Sequence, residues 1–268
     1  METIIFYGFI KFASMKKIIT NNSLIALVVA MFFFAGCKKK DTTTTPVKYG
    51  SLSFHIITNI ATTVVDSGIV GVDASGIHFQ MNLAEFYISD ITLHATTGKS
   101  VDLSSVYLLK TLGKLDYFVD SIPVGEYSSI SFNVGVAAAA NAKLPTDNSA
   151  ASPLYTQVPS MWFGSTTLGY IFMNVQGKAD TSAANTGTVN YPFTMQLGGN
   201  ASLKTVNMPT LAFSVTENTA QTITVIADYG KLFQGITFGS LFPNPTTSYS
   251  NPGVCSQIAN NIPTMFRY

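Results

Sequence analysis

The chain has 268 residues, 47% hydrophobic and only 11% charged, with a net charge of +1. Lys11, Lys16, Lys17 and Glu2 fall within residues 1–36, which leaves 12 basic and 13 acidic groups in the rest. A near-neutral body whose single arginine is Arg267 has no basic footprint for nucleic acid, and its length admits one large domain or two small ones.

In chain order the first signal begins at Met15, where the sequence reads MKKIITNNSLIALVVAMFFFAGCKKKD. Lys16 and Lys17 form a basic start, and Leu24 to Phe34 is an unbroken apolar run of eleven residues. That suits a secretory signal and falls short of the ~20 residues of a transmembrane helix. The run ends at Phe34-Ala35-Gly36-Cys37, where small residues before a cysteine resemble a bacterial lipobox. The expectation is a signal peptide over 1–36, started at Met15, with Cys37 acylated; an ordinary signal peptide is the alternative. Residues 37–49 hold three Lys, one Asp, four Thr and a Pro in KKKDTTTTP and cannot build a core, so they read as a tether. With Cys37 lipidated, Cys255 has no partner and reads as a small buried residue, so no disulfide is expected.

From Ser51 the chain reads as short strands between turns. In SLSFHI, Leu52, Phe54 and Ile56 share one face, and Ser51, Ser53 and His55 the other. IHFQMNLAEFYISDITLH predicts a longer strand with bends at Asn82 and at Ser89-Asp90, closed by a turn at Gly98. After Pro123-Val124-Gly125, the alternation of Ile130, Phe132, Val134 and Val136 with polar or small residues is the clearest half-buried strand. Residues 137–160 are rich in Ala, Asn, Pro and Ser and predict a long loop. Strands follow at GYIFMNVQGKAD, NYPFTMQLGG, TLAFSV and QTITVIADYG, then a short helix or turn at KLFQGI and helical spacing at Ile258 and Ile262. Eight to ten strands without a composition break over 50–268 predict one all-β domain of antiparallel strands, a sandwich or a barrel.

Catalytic signatures are sparse: no G-x-S-x-G elbow, P-loop or H-E-x-x-H occurs, and no spacing selects a carboxylate pair. The chain reads as a binding protein and not an enzyme. Its three histidines are His55, His78 and His94. A lone histidine carries little information, and the ordinary reading of each is structural or solvated. The single tryptophan, Trp162, stands at the entry of the GYIFMNV strand, where it reads either as a packed aromatic or as part of a site.

The YISDI strand, the P-x-G-x-Y turn before I-S-F-x-V-G-V and the M-W…GY-x-F entry follow one another in an order that resembles the MbnP-like family, over roughly residues 50–268. The resemblance implies a β-sandwich-like domain and, in copper-binding members, a metal held by histidines and an oxidised tryptophan made by a di-haem peroxidase-like partner. On that likeness copper is the implied cofactor. Trp162 lies in the segment that supplies the family's tryptophan, and His55 lies on the first strand, where a histidine is common. Phe163 and Gly164 follow Trp162, so no W-x-H pair is present. The expectation is a lipid-anchored protein of a Bacteroidota cell envelope, in the outer membrane or periplasm, with copper bound at His55 and Trp162. The alternative is an adhesion or glycan-binding lipoprotein without metal, suited by an aromatic surface rich in Thr and Asn.

Overall fold

A computed structural model describes residues 46–268, so the expectations for the signal, for Cys37 and for most of the tether lie outside the described residues. Fifteen strands are present among the described residues. The first eight are β1 (Tyr49–Ile60), β2 (Thr63–Val64), β3 (Val70–Val72), β4 (His78–Ala95), β5 (Ser100–Leu103), β6 (Leu108–Lys110), β7 (Asp116–Pro123) and β8 (Gly125–Val134). A long connection carrying the short helix α1 (Ala138–Asn141) leads to β9 (Ile171–Ala179), β10 (Tyr191–Gly198), β11 (Lys204–Asn207), β12 (Phe213–Val215) and β13 (Ala220–Asp228). Helix α2 (Tyr229–Leu232), β14 (Thr246–Thr247), helix α3 (Pro252–Asn261) and β15 (Phe266–Arg267) complete the body. The excess over the eight to ten expected strands comes from pieces of two to four residues, too short to show a period in sequence.

The strands form a five-stranded sheet ordered β15-β13-β1-β2, with β7 also on β1. The second sheet has ten strands, ordered β11-β8-β4-β9-β10-β14, with β12 on β8 and β3, β5 and β6 on β4. One core joins them. Phe132 of β8 meets Phe266 of β15 edge-on at 5.1 Å, and Phe54 of β1 lies 6.5 Å from Phe132. The expected sandwich-like all-β domain is therefore present, but it is not wholly antiparallel. Strand β1 pairs parallel with β13 from Ser51–Ala220 to Asn59–Asp228, and β10 pairs parallel with β14. A parallel pair needs a long crossover, here the whole intervening body, and alternation within β1 carries no information about its neighbour's direction.

Both expected bends are real. The register of β4 shifts between Met81 and Leu83 against β9 and between Ser89 and Thr92 against β8, where Asp90 has φ +48°. A bulge re-aims the side chains that follow it. Between the two bulges Phe86 and Ile88 enter the main core, while Tyr87 enters a second, smaller cluster with Val136, Leu154, Met161, Tyr170 and Phe172. The connection 137–170 folds over this second cluster.

Helix α3 contains the expected helical spacing at Ile258 and starts three residues before Cys255: the Asn251 side chain accepts from Val254 N, Pro252 opens the first turn, and Cys255, Ile258 and Ala259 are buried. Cys255 is a free, buried thiol. Burial pushes its pKa up to about 11, so it stays a protonated, apolar filler at neutral pH. No helix among the described residues is long and apolar enough to cross a membrane.

Candidate functional site

Residues 161–171 close into a small hairpin at the head of β9. Trp162 bridges Tyr170, Ile171 N donates to Met161 O at 2.9 Å, and Phe163 N donates to Gly169 O at 3.0 Å. Gly169 has φ +75°, and a Cβ there would lie 2.3 Å from Asn141 Oδ1, so only glycine fits. That close approach lets Asn141 Oδ1 accept from Tyr170 N at 2.8 Å, which ties α1 to the hairpin. The Trp162 ring then stands edge-on to Tyr170 at 4.9 Å, and Tyr170 stands edge-on to Tyr87 of β4 at 5.8 Å.

Trp162 is half-buried and lines a cavity of about 240 Å³ with Tyr87, Tyr155, Gln157, Met161 and Tyr170. Its remaining walls come from Leu144 to Thr146 and from Thr156 and Ser160, and none of the lining side chains is charged. Burial pushes the Tyr170 phenol up to about 12 and raises that of Tyr87 further, so both remain protonated donors. Tyr170 OH donates to Leu154 O at 2.8 Å and accepts from Asn148 Nδ2 at 3.0 Å, and Tyr87 OH donates to Pro153 O at 3.1 Å. Both rings are thus locked by the loop they support. The cavity offers aromatic faces with neutral hydroxyl and amide edges.

His55 lies elsewhere. It belongs to β1 in the five-stranded sheet, on the polar face as expected, between Thr224 of β13 and Asp116 of β7. Its Nδ1 is 2.7 Å from Asp116 Oδ1, and the imidazole is half-buried. A carboxylate on Nδ1 fixes the ring and leaves Nε2 free, as in many metal-ligating histidines. Trp162 is on the ten-stranded side, and no histidine lines its cavity. His78 Nδ1 is 3.1 Å from Asn185 Oδ1, and His94 Nε2 is 3.0 Å from Ser131 Oγ. Among the described residues no three His, Cys, Asp or Glu side chains converge.

The chemistry of the cavity's donor set is a poor match to copper, which favours imidazole and soft sulfur. Met161 supplies one buried sulfur, and an unmodified indole supplies an N–H donor with no lone pair in the ring plane. Sequence reasoning found Trp162, and it saw Tyr170 only as part of the GYIFMNV strand. It missed Tyr87, Tyr155 and Gln157, whose only sequence signal was membership of a strand or an unpatterned loop. It also missed Glu85 of β4, a buried carboxyl outside the cavity lining whose Oε2 has no partner and whose pKa burial raises.

A family model described as MbnP matches residues 42–254. A solved structure, MbnP from Methylosinus trichosporium, is similar at 12% identity, covering 70% of this chain and 78% of that chain with a TM-score of 0.48. No curated protein matches the chain. The family match spans nearly the whole β body that carries both His55 and Trp162, and the chain belongs to the MbnP family.

Proposed function

We propose that this chain is a lipid-anchored binding protein of the cell envelope, not an enzyme, which receives a neutral organic ligand in the Trp162 cavity. The observation that carries the reading is the half-buried Trp162 edge-on to Tyr170 in the wall of an uncharged, aromatic cavity. Small-molecule sites have this composition: apolar and aromatic walls with a few placed polar groups. Trp162 is the only tryptophan in the chain, so its fluorescence reports this cavity alone. A ligand that enters should change that emission, and Trp162→Ala should weaken binding by about tenfold or more. Binding of full strength in Trp162→Ala would overturn the reading.

Copper is a second reading, supported by family membership and by the His55–Asp116 pair, 2.7 Å apart. A lone oriented imidazole is one ligand, and a copper site needs more. In the purified protein the first reading expects no stoichiometric copper and no mass increase from oxidation at Trp162. One equivalent of copper, lost in His55→Ala, would establish the second reading instead.

The anchor is tested separately. The basic residues, apolar run and Ala35-Gly36-Cys37 ending support acylation at Cys37. Cys37→Ala should abolish incorporation of labelled fatty acid. Unchanged label on that variant would refute the anchor and leave the cavity unaffected.

A further inference from the structure

Beside the Trp162 cavity lies a second one of about 520 Å³, lined by Tyr107, Lys114, Phe118, Ser152 and Gln157 among others. Gln157 lines both. Its Nε2 donates to Pro153 O at 3.1 Å and to Tyr155 O at 2.9 Å, which spends the amide's donors on the loop and leaves Oε1 as an acceptor. Pro153 lines the second cavity and also accepts from Tyr87 of the first, so the loop that the two cavities share around Gln157 is braced from both. Aromatic side chains flank it: Trp162 and Tyr155 on one side, Tyr107 and Phe118 on the other. Phe118 is 62% exposed on β7, a position where burial gives no reason for a large apolar ring.

We propose that the two cavities form one cleft for a neutral oligosaccharide, with one sugar ring against Trp162 and the next rings passing Gln157 toward Tyr107 and Phe118. This rests on the reading that the Trp162 cavity holds the ligand, and it names the ligand's class and length. Three observations support it. The first cavity alone, at about 240 Å³, falls below the ~300–1,000 Å³ of ordinary small-molecule sites, and the adjoining cavity of about 520 Å³ that shares Gln157 supplies the remaining space. The walls alternate aromatic faces with hydroxyl and amide edges, which match the C–H face and hydroxyl rim of a pyranose ring. The single charged lining residue of either cavity is Lys114, whose ammonium already lies 4.7 Å over the Tyr117 ring, so nothing selects an anionic ligand.

The test titrates the purified protein with glucose, cellobiose and cellotetraose, with maltose and maltotetraose, and with N-acetylglucosamine and its tetramer. Trp162 emission and calorimetry give the affinities. In the series that binds, the tetrasaccharide should bind about tenfold or more tighter than the monosaccharide. Phe118→Ala, a change at an exposed position, should remove most of that gain and leave the monosaccharide affinity unchanged. Equal affinity at every length, or a gain that survives Phe118→Ala, overturns the extended cleft while the Trp162 site stands. Absence of binding across all three series overturns the saccharide ligand. If Trp162 emission then responds to copper, and that response is lost in His55→Ala, the Trp162 reading falls with it.

Discussion

Phe132→Ala should destabilise the body by about 3–5 kcal/mol, the usual cost of emptying a well-packed aromatic site. Phe132 is 1% exposed and lies between the sheets, 5.1 Å from Phe266 and 6.5 Å from Phe54. Those neighbours belong to β15 and β1, held in place by their own ladders, so the void cannot collapse. Its neighbour Ser131 points to the other face, half-buried, with its Oγ 3.0 Å from His94 Nε2. Ser131→Leu should cost under about 1 kcal/mol, since it loses one partly solvated hydrogen bond. Denaturant unfolding should show one transition with its midpoint lowered and its slope kept in Phe132→Ala. Near-equal midpoints for the two variants would show that the two sheets do not share a core at this position.

Asp228→Ala should cost about 3 kcal/mol, because it removes an N-cap and the buried partner of a half-exposed ion pair. Asp228 is 3% exposed at the end of β13. Its Oδ1 accepts from Ala61 N at 2.8 Å and from Gly230 N at 2.9 Å, and its Oδ2 accepts from Arg267 Nη1 at 2.9 Å. Arg267 also donates to Ala61 O at 3.1 Å. One carboxylate thus joins the end of β1, the start of α2 and the C-terminal strand. Arg267→Ala should cost less, because Asp228 keeps both backbone donors and the Arg267 side chain is itself 39% exposed. Hydrogen exchange at the amides of Ala61 and Gly230 should speed up strongly in Asp228→Ala and weakly in Arg267→Ala. The reverse order would mean that the ion pair, not the cap, holds this corner.

Much of the architecture was legible because β-strands write their burial into the sequence with a period of two. The alternation in β1 and β8, the bends at Asn82 and Ser89-Asp90, the buried Cys255 and the helix around Ile258 all depend on neighbours in the chain. Pairing direction does not: Phe54 is buried on β1 whether β13 runs parallel or antiparallel to it. The single chain-wide arginine was visible, but its partner Asp228 stands 39 residues away and became apparent only in the fold.

The candidate site divides the same way. The sequence by itself determined that Trp162 stands at the entry of the GYIFMNV strand, that His55 faces away from the core, and that no W-x-H pair follows the tryptophan. Tertiary structure decided that Tyr87 of β4, Gln157 of the long loop and Trp162 of the hairpin meet at one cavity, and that His55 meets Asp116 across a different sheet. The physical reason is that a cavity wall is set by where a bulged strand and an unpatterned loop come together. Neither the bulge's new aim nor the loop's path, set by hydrogen bonds such as Tyr87 to Pro153 and Tyr170 to Asn141, has a period that neighbouring residues could reveal.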